Sequence, residues 1–511
     1  MDLDEQRTVN SEKAEAEKQS SPVSRTATSV PVGDAIEDFH RRDDISFTIP
    51  AHRSGRTEFL PDAARWTGVG AFCADVGMTH GVDTRHQAWS VEPTAMELFA
   101  DAVGADETLF STNGSSQNVR VAIMAAVHPG DTLVMARNGH KSAFAGLVLS
   151  GAWPVYVDPD YDQTWQVAHG VDPAELGRVL DATPTAKAVM VFTPTYYGAS
   201  ADVSALAEKA HSHGLPLITD DAWGLDFAFC SRLPRSSMES GADLAIGSVH
   251  KSLAGLSQTS VLSRRGNRVD PKRLSLVFEL EQSTSASSLL LLSIDSARRQ
   301  FQQQGEKLIG RSIDLAERLR SEIERMPGLS LMGQEIVGRP GVLALDPTHV
   351  CFDVWELGLT GFSAADWLRQ HHGIHLELSD HRRLMPLVTF ADSDESIDRL
   401  VAALKALVED RKGADMGRIP EVGDPAALRM ETVMLPRDAF LGRTELVPWK
   451  QAAGRVSAEM ICPYPPGIPV TAPGELLSSE AVEYLQEVVA AGAMVEGCAD
   501  ESLAELRVVA D

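Results

Sequence analysis

Short apolar runs alternate with stretches of helical periodicity between residues 105 and 265. The stretches at 115–127 and 202–214 predict amphipathic helices. Such alternation indicates an α/β domain with a mostly parallel sheet. Ligands of these sheets bind beyond the carboxyl ends of the strands, so the polar residues that follow each strand are candidate site residues. The predicted strands are 131–136, 154–158, 188–193, 215–219 and 243–248.

A second α/β unit is predicted after a long helical pattern at 293–326, in which Gly305 and Gly310 are candidate break points. Its predicted elements are strands 349–357, 373–379 and 385–390 and helices 363–371 and 394–409. Residues 411–427 resemble a linker, and another helix is predicted at 478–491. We therefore expect four parts, namely a disordered tail at 1–35, an N-terminal arm with the large domain at 36–345, a small α/β domain at 346–415 and a C-terminal domain at 416–511.

The acidic composition restricts the range of partners. The 511-residue chain has a formal net charge of −26, and an acidic surface repels both nucleic acids and anionic membranes. Its five cysteines are scattered and form no C-x-x-C pair, so we expect no disulfide framework and no metal site. No run approaches the roughly 18–20 apolar residues of a membrane span, and the polar N-terminus does not resemble a signal peptide. These features predict a cytoplasmic protein that binds neither nucleic acid nor membrane.

The Gly/Ser turn STNGSSQN, at 111–118, opens one of the predicted helices. Free backbone N–H groups and the positive end of a helix dipole favour an anion at such a turn, and serine hydroxyls add donors. An ordinary helix N-cap is the simpler interpretation of this stretch alone, and it lacks the glycine and lysine spacing of a Walker-type nucleotide loop. The candidate anion-binding residues are Gly114, Ser115, Ser116 and Gln117.

Asp220 and Lys251 follow neighbouring predicted strands and lie 31 residues apart in the chain. A carboxylate and a lysine at adjacent strand ends, together with a phosphate-binding turn, suit pyridoxal 5′-phosphate (PLP). Asp220 would keep the pyridine nitrogen protonated, and Lys251 would form the Schiff base. Burial would lower the lysine pKa enough to supply a free amine. Taken alone, Asp220 is more often a helix cap or a partner in an ion pair.

His-Lys-Ser occurs twice in the chain. Lys251 is the better Schiff-base candidate because of its spacing from Asp220 and its place after a strand. In the other copy we expect His140, rather than Lys141, to contribute, because an imidazole can stack on the pyridine face opposite the lysine. His250 can add a hydrogen-bond donor at the phosphate. Each histidine is otherwise an ordinary loop residue.

The lysine-bearing segment SVHKSLAGLSQTS, at 248–260, resembles a motif of the bacterial ornithine/lysine/arginine decarboxylases, which are fold-type-I PLP enzymes. The resemblance covers the chain from about residue 45 to 490. Further matching segments follow in the family's order, namely FTIPAHRSG (47–55), FSTNGSSQN (110–118), ARNGHKSAFAGLVLSGAWPVYVDP (136–159), TPTYYG (193–198), DDAWG (220–224), STSASSLLLLSIDSARR (283–299), LPRDAF (435–440) and GRVSAEMICPYPPGIPVTAPGE (454–475).

The resemblance implies a large PLP-binding domain like that of aspartate aminotransferase, a smaller α/β domain and a C-terminal extension. It implies decarboxylation of arginine, lysine or ornithine to the corresponding amine and CO2. It also implies a homodimer or higher homo-oligomer, in which Thr284 or Ser285 of one subunit reaches the cofactor phosphate of the other. The expected cofactor contacts besides the anion-binding turn are His140, Asp220, Ala222, Trp223, Ser248, His250, Lys251, Thr284 and Ser285.

The chain departs from the family's pattern near the expected substrate. The family's T-S-P-S-Y is TSASS at 284–288, and loss of the proline and the tyrosine would reshape the pocket beside Ser288. Asp221 stands where the short forms of the family usually have glutamate. Asp221 and Glu377 are the candidate acidic contacts of a cationic substrate, and Ser288 is the third candidate substrate contact.

Two other functions remain open from the sequence. Transamination or oxidative deamination would use the same cofactor residues, because the pocket decides which bond to Cα breaks. A catalytically silent paralogue that acts as a binding partner is the alternative from another class. The joint presence of Lys251, Asp220 and His140 argues against a silent paralogue.

Overall fold

A seven-stranded sheet forms the centre of the structure. The structure is a computed structural model, and it describes residues 26–42, 47–57, 60–78, 91–412, 428, 430–464 and 467–510. In chain order the strands are β1 Glu107–Ser111, β2 Thr132–Ala136, β3 Trp153–Val157, β4 Ala186–Phe192, β5 Leu217–Asp220, β6 Leu244–Ser248 and β7 Ser260–Arg264. Their order across the sheet is β1-β7-β6-β5-β4-β2-β3. Strands β2 to β6 are paired in parallel, and β7 is antiparallel to both of its neighbours. The prediction of a mostly parallel sheet is confirmed, and the five predicted strands are β2 to β6.

The parallel strands are apolar because the sheet is covered on both faces. Every residue of β2 and β6 is buried, and β4 exposes only Lys187. Successive side chains of a strand point to opposite faces, so complete burial requires a layer on each side. The helices of this domain are Pro31–Arg41, Ala64–Thr67, Val69–Ala74, Val91–Val103, Gly114–Ala126, Lys141–Ser150, Pro173–Ala182, Val203–Ser212, Val249–Ser252, Pro271–Glu281 and Ser288–Ile323.

The helix Ser288–Ile323 has 36 residues, and its apolar side chains belong to the cores of both the large and the small domain. It is continuous through Gly305 and Gly310, so the expected break is not present. Gly305 is needed for close packing instead, because a Cβ atom there would lie 2.6 Å from the backbone oxygen of Phe229.

The small domain contains four short antiparallel strands beside two helices. The helices Gly361–His372 and Asp394–Asp410 were both predicted. The strands are shorter than predicted, because the backbone leaves the sheet after Asp353 and enters a 3₁₀ helix at Trp355–Leu357. In order across the sheet the strands are Ser330–Leu331, Phe352–Asp353, Arg383–Met385 and Leu378–Ser379.

The C-terminal region contains two antiparallel strand pairs and the helix Ser479–Ala490, close to its predicted bounds. Arg137 of the large domain donates hydrogen bonds to the backbone oxygens of Pro469 (2.7 Å) and Val470 (2.9 Å) and forms an ion pair with the buried Glu475. These contacts hold the segment that contains Ile468 beside the carboxyl ends of the central strands. The strand pairs are Thr444–Pro448 with Glu505–Val509 and Cys462–Tyr464 with Met494–Glu496.

The predicted disordered tail at 1–35 is wrong over its last residues. Residues 31–35 begin the helix Pro31–Arg41, whose apolar face is buried in the core of the large domain. The N–H of Val32 donates to Asp295 at 3.1 Å, and the fully buried Arg298 binds the backbone oxygens of Ala27 and Ser29. Residues 1–25 lie outside the described part of the chain.

No helix in the described ranges is both long and apolar enough to cross a membrane. All five cysteines are free thiols. The described residues contain no cluster of three or more histidine, cysteine or carboxylate side chains suited to a metal ion.

Candidate active site

A cavity of about 410 Å³ lies at the carboxyl ends of β2, β4, β5 and β6. The helix Gly114–Ala126 begins at the same place, so strand ends and a helix N-terminus meet around one space. This is where ligands bind in sheets of this topology. The sequence-predicted residues that line the cavity are Gly114, Ser115, Ser116, His140, Asp220, Ala222, Trp223, Ser248, His250, Lys251 and Glu377.

Lys251 lies in a short helix directly after β6 and lines the cavity. Its Nζ lies 4.1 Å from the ring centroid of Trp223 and 5.9 Å from that of Tyr196. Burial lowers the pKa of Lys251, whereas the carboxylates of Asp220 and Glu377 act in the opposite direction. A lysine with a lowered pKa can supply the neutral amine that attacks a carbonyl carbon.

The other candidate lysine, Lys141, forms an ion pair with Glu496 of the C-terminal region. It is not among the residues that line the cavity. The structure thus brings only Lys251 of the two candidates into the site.

Asp220 is the last residue of β5 and is buried. Its Oδ1 accepts a hydrogen bond from the N–H of Ala222 at 3.1 Å. Burial raises the pKa of Asp220 to about 6, against the opposing effects of Lys251 and of this hydrogen bond. A cationic N–H partner stabilises a buried carboxyl group in its anionic form. A protonated pyridine nitrogen is such a partner.

His140 caps the helix Lys141–Ser150, and its Nδ1 accepts a hydrogen bond from the N–H of Ser142 at 3.2 Å. The proton of the neutral ring therefore lies on Nε2. Burial, followed by the positive charges of Lys251 and Lys141, lowers the pKa of His140 to about 4. The imidazole is neutral at pH 7 and suits packing against an aromatic ring.

Hydroxyl groups surround the beginning of the helix Gly114–Ala126. Ser115 Oγ lies 2.7 Å from Ser248 Oγ and 2.9 Å from Ser260 Oγ. His250 donates from Nδ1 to the backbone oxygen of Thr259 at 2.9 Å, so its Nε2 donates to an anion only when the ring is protonated. Burial lowers the pKa of His250, which disfavours that protonated form, so the predicted donor role of His250 is not supported. The hydroxyls and the helix N-terminus fit a phosphate group, and with Lys251 and Asp220 they fit PLP.

The side chain of Gln117 does not line the cavity, in contrast to the prediction. It is fully buried, and its Oε1 accepts a hydrogen bond from Ser111 Oγ at 3.0 Å. The side chain follows the inner face of its helix, so only the backbone of Gln117 remains a candidate phosphate contact.

Two of the three predicted substrate contacts lie elsewhere. Asp221 accepts a hydrogen bond from Ser237 Oγ at 2.8 Å and does not line the cavity, because successive residues at a strand end point to opposite sides. Ser288 is fully buried and binds the backbone oxygen of Ala74 and the N–H of Val76, both at 2.8 Å. Both predictions are wrong for the side chains of this chain.

Glu377 is the predicted substrate contact that does line the cavity. Burial raises the pKa of Glu377, and the neighbouring Lys251 and His349 act against this rise. It comes from the small domain, so the site combines residues of two domains.

Thr284 and Ser285 do not line the cavity that contains Lys251. They lie in a separate cavity of about 700 Å³, together with residues 48–50 and 75–78. The prediction that they reach the partner subunit's cofactor stays a prediction.

Several lining residues were not singled out from the sequence. Tyr196 follows β4 and lies within the quoted segment TPTYYG, so the strand-end rule would have found it. Asn138 follows β2 in the same way. Ile468 arrives from the C-terminal region, and no local pattern indicates that contact.

Comparison with known proteins identifies two family models in this chain. The model "Orn/Lys/Arg decarboxylase, major domain" matches residues 30–396, and "Orn/Lys/Arg decarboxylase, C-terminal domain" matches residues 425–501. An arginine decarboxylase of Halalkalibacterium halodurans is 37% identical over 470 residues, which cover 92% of this chain and 95% of that protein. An arginine decarboxylase of Bacillus subtilis is 35% identical over 474 residues, with the same two coverages of 92% and 95%.

Solved structures share the fold. The constitutive lysine decarboxylase of E. coli superposes with a TM-score of 0.78 at 21% identity, covering 94% of this chain and 82% of that one. A ureidoglycine-glyoxylate aminotransferase from Bacillus subtilis superposes with a TM-score of 0.51 at 16% identity, covering 63% of this chain and 86% of that one. The large domain therefore has the architecture of the fold-type-I PLP enzymes.

Proposed function

The chain belongs to the Orn/Lys/Arg decarboxylase family, and we propose that its preferred substrate is arginine, which it converts to agmatine and CO2. The reaction class is PLP-dependent decarboxylation of a basic amino acid. The choice of arginine is supported by the relatives at 35–37% identity, which carry the name arginine decarboxylase.

The observation that carries the proposal is the position of Glu377 in the wall of the cavity that contains Lys251. The guanidinium group of arginine matches a carboxylate with two parallel hydrogen bonds, a geometry that a lysine ammonium does not provide. A neutral substrate that covers this carboxylate would leave it without a partner, which penalises its binding.

We assign roles to the other residues on the same basis. Lys251 carries the cofactor covalently, and Asp220 holds a proton on its ring nitrogen. His140 packs against its ring. The phosphate is bound at the beginning of the helix Gly114–Ala126 by the backbone there and by Ser115 and Ser116, with Ser248 and His250 beside them. When bound, PLP accepts the electron pair of the Cα bond that breaks.

The charges around the cavity favour loss of the carboxylate over transamination. Lys251 is the only lysine, and arginine is absent, among the described residues that line it. An arginine partner would stabilise the substrate carboxylate in the ground state and so raise the free-energy barrier to loss of CO2. Without that partner the barrier is lower. This observation disfavours the aminotransferase alternative.

A cytoplasmic homodimer or higher homo-oligomer completes the proposal. Phe47, Ile49 and Trp66 are 88%, 69% and 78% exposed, and Ile49 belongs to the cavity that contains Thr284 and Ser285. Exposed apolar surface of this kind is typical of an interface with another protein. A second copy seated there would bring these two hydroxyls towards another chain.

The test is an assay of the purified, PLP-loaded protein with arginine, lysine, ornithine and leucine, in which CO2 and H2O2 are both measured. We expect CO2 without H2O2 and the highest kcat/KM for arginine. A higher kcat/KM for leucine than for all three basic amino acids would contradict the proposal. H2O2 release would instead identify an oxidative deaminase.

A further inference from the structure

A second, much smaller cavity adjoins the active site, and Lys251 and Trp223 lie in the walls of both. Its volume is about 20 Å³. Two buried polar atoms of its lining, Trp223 Nε1 and His349 Nε2, have no hydrogen-bond partner among the described residues, and Asp226 and Ser252 beside them interact with each other. Buried polar atoms are nearly always hydrogen-bonded in folded proteins, so unpaired atoms around one small polar space indicate a bound polar molecule.

We propose that this cavity binds one water molecule, and that this water joins Asp226 and His349 to Lys251 as the route by which the proton consumed in decarboxylation reaches the active site. A water site needs roughly 10–15 Å³ and two to four polar partners, and the cavity meets both conditions. The Trp223 N–H donates to the water, and His349 Nε2 binds it as an acceptor when the ring is neutral and as a donor when the ring is protonated. Asp226 and the Ser252 hydroxyl complete its hydrogen bonds as donors or acceptors.

The orientation of His349 is set from its other side. Its Nδ1 donates to Asp346 Oδ2 at 2.9 Å, so Nε2 is the ring nitrogen left to bind a molecule in the cavity. Asp346 Oδ1 accepts from the N–H (2.9 Å) and the hydroxyl (2.7 Å) of Thr348. His349 and Thr348 thereby hold the pKa of Asp346 below its usual range in spite of its burial.

The pKa of Asp226 is shifted in the opposite direction. Burial and the neighbouring charge of Asp346 raise the pKa of Asp226 well above its usual value, against a smaller effect of Ser252. Two neighbouring carboxyl groups whose pKa values are shifted apart are the arrangement in which one of them can hold a transferable proton.

The reaction needs such a proton once in every turnover. The substrate amine would first replace Lys251 on the cofactor, which frees the lysine side chain. When the bond between Cα and the carboxylate carbon breaks and CO2 leaves, bound PLP would accept the electron pair, and the ammonium of Lys251 would give a proton to Cα. The water gives a proton to the Lys251 amine and takes one from Asp226, which regains a proton from solvent before the next turnover.

Asp226 and His349 act through the water and Lys251, so they are positioning residues rather than catalytic ones. The inference rests on the proposed decarboxylase activity, but not on arginine as the substrate.

The test compares Asp226→Asn and His349→Gln with Ser312→Ala, a matched control. Ser312 lines the same cavity, but its hydroxyl donates to the backbone oxygen of Leu308. If protonation of Cα were slowed, a proton would add to the cofactor instead, and hydrolysis by one water would then give pyridoxamine 5′-phosphate and an aldehyde. We expect Asp226→Asn and His349→Gln to raise the ratio of pyridoxamine 5′-phosphate to CO2 by roughly tenfold or more, and Ser312→Ala to leave it unchanged.

A fall in CO2 release with an unchanged ratio in both variants would mean that the cluster is merely structural, and would overturn the proposal.

A crystal structure of the wild-type holoenzyme provides a second test that depends on no variant. We expect one water within hydrogen-bond distance of Trp223 Nε1 and His349 Nε2, and an empty cavity would overturn the proposal. A wild-type enzyme that releases no CO2 from any basic amino acid would contradict the proposed function, and the inference with it.

Discussion

Asp220 is a buried carboxyl whose pKa burial raises from 3.8 to about 6. Between these two values the folded apoprotein binds more protons than the unfolded chain, so its stability falls as the pH rises through this window. The loss amounts to about 3 kcal/mol at neutral pH. We predict that Asp220→Asn makes the apoprotein more stable than wild type above about pH 7, and that the difference disappears below about pH 4, as measured by urea unfolding.

The same substitution removes the expected partner of the cofactor's ring nitrogen. Turnover of the holoenzyme should fall on the order of 10²-fold or more. Asp366→Asn, which changes an exposed carboxylate of the small domain, serves as the control for both measurements. Equal stability of the two apoproteins at every pH would contradict the raised pKa, and near-normal turnover would contradict the assigned role.

Glu377 should determine the preference for a cationic substrate. Glu377→Gln removes the negative charge but preserves the shape of the side chain. We predict a fall in kcat/KM for arginine of roughly 10- to 100-fold, mainly through KM, because a partly desolvated charge pair is lost. The control is Glu356→Gln, an exposed position of the same domain. Similar losses for arginine and leucine would show that Glu377 supports the fold instead.

The sequence could predict which strand ends carry polar residues, but not the direction of every side chain. Asp220 was found because it directly follows an apolar run, and Lys251 and His140 because each lies in the turn a few residues after such a run. Asp221 was misassigned because it adjoins Asp220 while its side chain points to the opposite side of the strand. Ser288 was misassigned because it begins a helix whose packing depends on a segment more than 200 residues away in the chain.

At the scale of elements, the central strands could be predicted from the sequence because they are buried on both faces. Strands β2, β4, β5 and β6 are largely apolar because both of their faces are covered. The edge strand β1 and the antiparallel β7 were not predicted. The strands of the small domain have only two or three residues, too few for a period of two to be recognised.

The two glycines of the long helix provide a matched pair for a packing test. A Cβ at Gly305 would lie 2.6 Å from the backbone oxygen of Phe229, whereas the nearest atom to a Cβ at Gly310 is an arginine nitrogen 3.7 Å away. We predict that Gly305→Ala destabilises the protein by about 1–3 kcal/mol through overpacking. Gly310→Ala should be neutral or slightly stabilising, because alanine has the higher helix propensity. Thermal unfolding measures both, and equal melting temperatures would contradict the close approach.

At the scale of the whole molecule, three parts of the chain meet around one cavity. The large domain contributes the strand ends, the small domain contributes Glu377, and the C-terminal region contributes Ile468. The sequence predicted these parts as separate units, because local periodicity contains no information about contacts between distant segments. The ion pair of Arg137 with Glu475, which holds the third part in place, is an example of such a contact.

Removal of that contact should loosen the C-terminal region. Arg137→Ala leaves the buried carboxylate of Glu475 without its cationic partner, and we predict a loss of about 3 kcal/mol in stability. Limited proteolysis should then cleave the C-terminal region faster, and KM should rise because Ile468 is no longer held. Arg178→Ala, which breaks an exposed ion pair with Glu175, should change none of these quantities. An unchanged melting temperature for Arg137→Ala would contradict this part of the account.

The central claim is that Lys251 carries PLP at the ends of the central strands. The most direct measurement is reduction of the holoenzyme with borohydride, followed by digestion and mass mapping of the peptide that bears the pyridoxyl group. The account predicts that the label is found on Lys251 alone and that binding of the label is lost in Lys251→Ala. A label on Lys141, the lysine of the other His-Lys-Ser copy, would contradict it.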